Sequence, residues 1–413
     1  MNGMGTFLKI AWRNIWRNKT RTMLTLSVLF ISVFLAILMT SEEDGTYGNI
    51  IDNVIGMTGH LQLQNSEYQE NKSINHGMIL DSLILRNLRK TDHVKQVTAH
   101  LESFALASYQ EKTKGVVVSG IVPSEEEDFA KFQQKYLKQT GRKGVYLKDA
   151  DDGVLLGEKL ASFLKIGIND TLVLISQGYH GSTAAGLFPV RGTIRLPSIE
   201  LESRMIYMSR DAAQKFYGAA GLVTSVLIKA DDNKDIKLIR QKLARTIPDG
   251  TSLRSWDELQ PGIVQLIDGK LAGGNFVKGI FYMILGFIIF STMVMMMYER
   301  RKEFGIMAAI GMQKRGLSTV VFLETILISI LGTILGLAAG YALTSWYFAH
   351  PIPLKGEMAK TMEQYGFEPF IYFSNNIEIF YWQPVVVFCL TLVVYLFPFF
   401  SIRKLNIIKA IRV

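Results

Sequence analysis

Four stretches of the chain carry no Asp, Glu, Lys or Arg for about 20 residues or more: 22–41, 279–298, 325–353 and 379–402. A hydrocarbon core of about 30 Å needs roughly 20 apolar helical residues, so each stretch is long enough to span a bilayer. The third ends in a polar tail from Ala349 to Pro353, which places the end of its helix near Phe348. Spans are therefore expected at 22–41, 279–298, 317–348 and 379–402.

Charge sets the orientation. The net charge is +9 over 413 residues, unevenly spread. Segments 1–21, 299–316 and 403–413 hold 14 basic and 2 acidic residues, whereas 41–278 holds 29 of each sign. The loop 350–378 has four acids against Lys355 and Lys360. Short positive segments stay cytoplasmic, and large domains translocate largely regardless of charge. Both termini are thus expected on the cytoplasmic side, with 41–278 and 350–378 outside. The basic excess is a topology signal and gives no support to nucleic-acid binding. The run at 22–41 is longer than the roughly 7–15 residues of a signal-peptide core, and no A-x-A-like site follows, so it reads as an uncleaved anchor. Cys389, the single cysteine, excludes intramolecular disulfides and multi-cysteine metal sites.

In 42–278, alternating runs at 60–64, 115–121 and 222–229 predict strands, as do 154–156 and 171–176. Helices are predicted at 79–90, 158–164, 209–217 and 236–246, with a turn at Pro248, Asp249 and Gly250. Ser124, followed by Glu125, Glu126 and Glu127, reads as an N-cap opening a helix through about Gln139. Consecutive helical residues point in different directions, so these acids suit the first-turn dipole and not a metal. The fold class is an α+β module of two lobes, the inserted one at about 115–218, joined to four transmembrane helices. The six histidines are scattered, and H-E-x-x-H, G-x-S-x-G and the phosphate loop G-x-x-x-x-G-K-[ST] are all missing from the sequence. The glycine-rich 178–186 reads as a mobile surface loop. Catalytic residues, metal ligands and a cofactor of this chain's own are not expected.

Between the second and third spans lies Y-E-R-R-K-E-F-G-I-M-A-A-I-G-M-Q-K-R-G-L, residues 298–317. A charged start, an amphipathic piece at 304–310 and then Gly311 predict a short cytoplasmic helix capped by glycine. Its apolar residues Phe304, Ile306, Met307 and Ile310 call for a partner. Residues 6–20 place Leu8, Ala11, Trp12, Ile15 and Trp16 on one face of an interfacial helix. Gly332, Gly336 and Gly340, spaced by four, form a small-residue face for close helix packing. Glu324 lies only about 10 Å into its span from Leu317, which suits a place near the short helix better than a mid-membrane proton relay. Pro398 is expected to kink the fourth span. Met293, Met295, Met296 and Met297 suit either adaptable contacts with acyl chains or plain packing.

Residues 299–312 resemble the "ER-x-x-E-I-G-I-x-x-A-L-G" segment of the FtsX/MacB-type ABC permeases, which include the lipoprotein-releasing LolC/LolE group. Residues 11–28 (A-W-R-N-I-W-R-N-K-T-R-T-M-L-T-L-S-V) are similar to that family's N-terminal segment, and 156–170 (L-G-E-K-L-A-S-F-L-K-I-G-I-N-D) to its "L-G-x-x-L-A" piece. Trp256 stands where such permeases often have a tryptophan before the second span. Residues 402–412 resemble the closing "P-x-x-A-L-R", with Ile408 in place of proline. The strand G-H-L-Q-L-Q at 59–64 resembles the first strand of the lipoprotein-release branch.

The resemblance implies four spans and a large extracytoplasmic domain split into Porter-like and Sabre-like lobes. It implies two permeases, a second copy or a paralogue, on a dimer of a separate ABC ATPase that binds ATP and magnesium. Glu299, Arg300, Glu303, Phe304, Gly305, Ile306, Ala309, Ile310, Gly311 and Met312 would form the coupling helix seated on that ATPase. Phe30, Phe34, Phe281, Phe287, Phe290 and Met293 would line a central cavity built by the first two spans. The function implied is lipoprotein extraction from the inner membrane and delivery to a periplasmic carrier by mechanotransmission, with 186–198 as a candidate carrier-capturing loop. Two alternatives stay open: MacB-like efflux of drugs or peptides through an adaptor protein, and FtsX-like signalling to a cell-wall hydrolase.

Overall fold

The computed structural model describes residues 3–17, 19–133, 137, 144–196, 199–244, 246–364, 368–407 and 410. The chain divides into two compact units. One comprises Met1–Gly48, Leu266–Pro353 and Ile371–Val413, and the other Asn49–Gln265 and Leu354–Phe370.

The first unit is helical. Helices Lys19–Thr58, Pro261–Glu299, Lys314–Ala349 and Ile377–Arg403 supply four segments long and apolar enough to cross a membrane. The helix Gly3–Arg17 precedes them, and the short helix Arg301–Ala309 separates the second from the third. The first two long helices run well past their apolar stretches, to 40 and 39 residues. That is about 60 Å at 1.5 Å per residue, twice a hydrocarbon core. Acids at 42–44 end the apolar run without ending the helix, because Glu is as good a helix former as Leu. Glu43 is buried and ion-paired with Lys278 at 2.6 Å, and Gly274 faces the Glu43 carboxylate so closely that a Cβ there would push the carboxylate aside. The fourth helix runs through both Pro384 and Pro398.

The small-residue stripe of the third span packs on the first. A Cβ at Gly332 would lie 2.7 Å from Leu29 Cβ, at Gly336 2.7 Å from Val33 Cβ, and at Gly340 3.0 Å from Ile37. Leu29, Val33 and Ile37 are buried in the bundle core with Leu285, Ile289 and Val321. Met293, Met296 and Met297 belong to that core, and Met295 points outward. Polar pairs tie the fourth helix in: Ser329 to Thr391 at 3.0 Å, Ser318 to Tyr395 at 2.7 Å, and Tyr282 donating to Gln383 at 2.6 Å.

The second unit is α+β. Its strands are β1 Leu61–Asn65, β2 Met78–Ile79, β3 Val94–Tyr109, β4 Lys112–Ile121, β5 Val154–Gly157, β6 Thr171–Gln177, β7 Thr183–Ile194, β8 Met205–Ser209, β9 Leu222–Val223, β10 Ser225–Ala230 and β11 Thr251–Ser255. The long β3 serves two lobes. Its first half pairs with β10 in a sheet ordered β11-β1-β10-β3, and helices Ser82–Lys90 and Ile236–Leu243 bury Leu88, Ile239 and Leu243 against that sheet. Its second half, from Leu101, pairs with β4, and the ladder continues through β8, β5, β7 and β6 back to β3 at Leu106–Ile175. Six strands thus close into a barrel, filled by Leu101, Val116, Val118, Leu156, Leu174 and Ile206. Each of the six strands is thereby paired on both sides over part of its length.

Several expectations are corrected. Ser124 is not an N-cap: Val122 holds that position with Pro123 at the first helical residue, where its missing N–H costs nothing. The Ser124 amide and hydroxyl instead bind the Asp149 carboxylate. That helix stops at Ala130 on the left-handed Lys131 (φ 51°), and most of its expected continuation to Gln139 lies outside the described residues. The glycine-rich 178–186 is not a loop throughout, because β7 begins at Thr183. The carrier-capture candidate 186–198 is mostly β7, hydrogen-bonded to β5 on one side and β6 on the other, so it does not protrude. Its Pro197 and Ser198, like Ile408 and Arg412 of the closing motif, fall outside the described residues.

Candidate functional site

The short helix Arg301–Ala309 is the feature around which charged residues gather in the first unit. The backbone turns at Arg300, which caps the helix start, and closes at Gly311, whose φ of +104° disfavours any side chain. Amides of Gly311 and Met312 reach back to the carbonyls of Ala308 and Met307 and satisfy the helix end.

One face of this helix is turned into its own bundle. Phe304 is 1% exposed, Gly305 is buried, and Met307, Ala308 and Met312 pack on the same core. The expectation that Phe304 and Met307 await a partner is therefore corrected: the bundle core fills those contacts. Glu299, Lys302, Ile306, Ala309, Ile310 and Gly311 face outward, with Ile310 82% exposed. Lone exposed apolar residues are ordinary, but Ile306 and Ile310 are one helical turn apart beside a basic rim, which makes a small apolar docking stripe.

A chain of four charges fixes the helix. Arg17, the last residue of the N-terminal helix, donates through one Nη to both Glu303 oxygens at 2.6 and 2.5 Å. Glu303 also accepts from Arg300 Nε at 3.2 Å, and Arg300 Nη1 reaches Glu324 of the third long helix at 2.6 Å. The guanidinium of Arg300 also lies 5.2 Å from the centre of the Phe304 ring. Burial acts to raise the Glu303 carboxyl, and hydrogen bonds and charge from Arg17 and Arg300 outweigh it, holding the group below the usual carboxylate range. The chain is buried at one end and wet at the other: Arg300 and Glu324 side chains are 6% and 1% exposed, those of Arg17 and Glu303 55% and 41%. Motion of the short helix is thereby tied to the N-terminal helix and to the third span at once.

The N-terminal helix buries Ala11 and Ile15 and leaves Leu8, Trp12 and Trp16 exposed, with the two indoles 6.0 Å apart. Amphipathic rings of this kind settle at a membrane–water boundary.

The cavity candidates are not gathered in one place. Phe30 and Phe34 stack on each other at 5.9 Å, Phe290 packs edge-on against Phe397 of the fourth helix at 5.2 Å, and Met293 is inside the core. Phe287 is 67% exposed on the bundle surface. Phe281 does line an apolar groove of about 270 Å³ between the first two long helices, with Val28, Ile31, Leu35, Met39 and Ile288. Lys278, the partner of Glu43, stands in the same lining.

In the α+β unit the sequence reading missed one buried pair. His100 of β3 meets Glu126 at 2.8 Å, with side chains 5% and 3% exposed. Burial acts to lower the His100 pKa, and the Glu126 charge and hydrogen bond, helped by Glu102, carry it above the ordinary imidazole value. The partners are 26 residues apart, so only the pairing of a strand with a helix brings them together. The acids at 125–127 separate accordingly: Glu125 pairs with Arg89 and Glu127 accepts from the Gln133 amide, both at 2.5 Å. Among the described residues no group of three or more His, Cys, Asp or Glu is arranged to hold a metal.

Comparison with known families agrees with this architecture. The MacB-like periplasmic core domain family matches residues 22–246, more than half of the chain, and the FtsX-like permease C-terminal family matches residues 275–407. The chain is an ABC transporter permease of the FtsX/MacB type. Members of this family work with an ABC ATPase partner. Among curated relatives, the lipoprotein-releasing system transmembrane protein LolC of Xylella fastidiosa (strain 9a5c) is 24% identical over 265 residues, covering 62% of each chain. The chain thus spans about three fifths of that relative's length. The ABC transporter permease YknZ of Bacillus subtilis (strain 168) is 20% identical over 350 residues, 81% of this chain and 85% of that one. Among solved structures, the periplasmic region of MacB from Actinobacillus actinomycetemcomitans covers 52% of this chain at 16% identity with a TM-score of 0.35. The extracellular domain of YknZ covers 47% at 16% identity with a TM-score of 0.32.

Proposed function

We propose that this FtsX/MacB-type permease, with a dimer of a separate ABC ATPase and a second permease, extracts lipoproteins from a bacterial inner membrane and hands them to a periplasmic carrier. The observation that supports this most is the lateral groove between the first two long helices, lined by Val28, Ile31, Leu35, Phe281 and Ile288. An acyl chain loses nothing on moving from lipid into such a lining, while Lys278 and Glu43 at its border suit the polar part of a lipid-anchored cargo. The matched LolC is by its own description part of a lipoprotein-releasing system, which agrees with this reading.

The helix Arg301–Ala309 is the coupling helix, with Ile306, Ala309 and Ile310 against the ATPase and Arg300 and Glu303 carrying its motion inward. Both termini lie in the cytoplasm and the α+β unit in the periplasm, a reading supported by the basic segments 1–21, 299–316 and 403–413. ATP-driven closure of the ATPase moves the coupling helix, and the charge chain passes that motion to the N-terminal helix and the third span.

The test is cargo-stimulated ATPase activity of the reconstituted complex. Gly305→Pro breaks the helix at a cost of about 3 kcal/mol, and Ile306→Asp puts a charge on the docking stripe. Both variants are expected to insert normally and to lose cargo stimulation. Full stimulation in either would remove the assignment of this helix.

A further inference from the structure

The helix Gly3–Arg17 is sorted lengthwise into three stripes. Residues four apart on a helix share a face. One face is taken by the bundle: Ala11 and Ile15 are buried, and Phe7 lies over Gly316 of the third long helix. Beside it runs an exposed apolar stripe of Leu8, Trp12 and Trp16. One residue further round at each turn stand Lys9, Arg13 and Arg17, all exposed.

The apolar stripe calls for a membrane boundary and is indifferent to the charge of that membrane. The basic stripe is not. Residues 1–21 hold five Lys and Arg and no acid, and Lys9 and Arg13 enter no ion pair among the described residues. With the indoles in the boundary, cations on the neighbouring stripe stand at the level of the lipid phosphates. Arg17, at the end of the same stripe, is used differently: it gives one Nη to both oxygens of Glu303 on the short helix Arg301–Ala309.

We propose that Lys9 and Arg13 bind the phosphates of anionic phospholipids in the adjoining leaflet, and that this anchors the helix from which Arg17 holds the short helix. An anionic lipid surface strengthens association by about fivefold for each Lys or Arg near it. A zwitterionic lipid brings its own cation beside the phosphate and gains no such attraction. An acidic protein surface would meet the charges but leave the indoles next to them without an apolar phase, whereas a lipid surface takes both stripes at once. Neither the lipoprotein cargo nor the ATPase contact enters this inference, so it and the proposed function can fail separately.

The experiment is hydrogen–deuterium exchange of the full-length chain in nanodiscs of phosphatidylcholine, with and without phosphatidylglycerol. The expected result is that phosphatidylglycerol slows exchange by about fivefold or more at residues 3–17 and, through Arg17, at 301–309 as well. Lys9→Gln with Arg13→Gln abolishes the slowing in both segments. Arg17→Ala abolishes it at 301–309 and leaves most of it at 3–17. High salt weakens it throughout, because exposed charges are screened. Phosphatidylglycerol without effect on 3–17, or an effect that survives the double substitution, overturns the proposal, and slowing confined to 3–17 overturns the tether. Slowing reproduced by inorganic phosphate over neutral nanodiscs would make the ligand a free anion, and slowing that requires the ATPase would make it a protein; either overturns the lipid assignment. If the double variant fails to insert, the salt series decides, and an effect unchanged in high salt overturns the proposal.

Discussion

Replacing Arg300 by alanine separates the buried half of the charge chain from its exposed half. The substitution leaves Glu324, 1% exposed and 2.6 Å from the lost guanidinium, without its salt-bridge partner in the third helix. Removing one member of a buried pair costs about 3–5 kcal/mol, because the survivor remains desolvated. Cutting the outer link with Arg17→Ala costs only about 0.2–1 kcal/mol, since Arg17 is 55% exposed and water replaces it. The double variant Arg300→Met with Glu324→Leu removes both charges, keeps the volume, and should recover most of the loss. Denaturant unfolding of the nanodisc-embedded chain measures all three stabilities, and ATPase stimulation by cargo measures transmission. Arg17→Ala is expected to fold normally yet transmit less. An Arg300→Ala chain within about 1 kcal/mol of the parent would show that the pair is not desolvated. A double variant no better than the single would refute the pairing itself.

Other consequences concern packing and pH. Gly336→Val places a branched side chain where even a Cβ would lie 2.7 Å from Val33 Cβ, so it should cost about 1–3 kcal/mol or separate the first and third spans, read by thermal unfolding and disulfide trapping. His100 has a folded-state pKa above its ordinary 6.5, because Glu126 and Glu102 outweigh burial. Its contribution to stability is complete below about pH 6.5 and is lost as pH rises through the folded pKa, a loss that His100→Gln should abolish in a pH series of unfolding midpoints. His60 behaves oppositely: burial, with Lys229 nearby, pushes its pKa down to about 4. Its contribution is complete above about pH 6.5 and drains away as pH falls toward 4, and His60→Phe should flatten that acid limb.

The membrane helices were legible because twenty charge-free residues have few other uses, and the short helix Arg301–Ala309 because an apolar stripe in a charged loop demands burial. What ended each span was not legible: the acids at 42–44 stop a hydropathy signal, but the helix continues to Thr58 and hides Glu43 against Lys278. Most short strands and helices of the α+β unit were visible from alternation and caps, as at Glu158–Leu164 and at Arg210–Tyr217 with its Ser209 cap. Barrel closure was not, since it rests on β3 serving two lobes and on β6 returning to it, and neither leaves a local pattern. The buried pair His100–Glu126 was hidden for the same reason, although an unbroken run of four acids after Ser124 was the available hint. The Arg300–Glu324 contact had a stronger signal, an acid seven residues into a span, and the basic residue able to meet it stands 24 positions earlier.

The central claim is that this permease moves lipid-anchored proteins with energy from a separate ATPase. The most direct measurement is purification of the tagged chain from native membranes in a state trapped without ATP, with mass spectrometry of proteins and acylated peptides. The account predicts an ABC ATPase together with acylated lipoproteins, both lost from the Ile306→Asp variant or depleted in step. An ATPase with a periplasmic adaptor and no acylated peptide would contradict lipoprotein extraction, and no ATPase at all would contradict the coupling assignment as well.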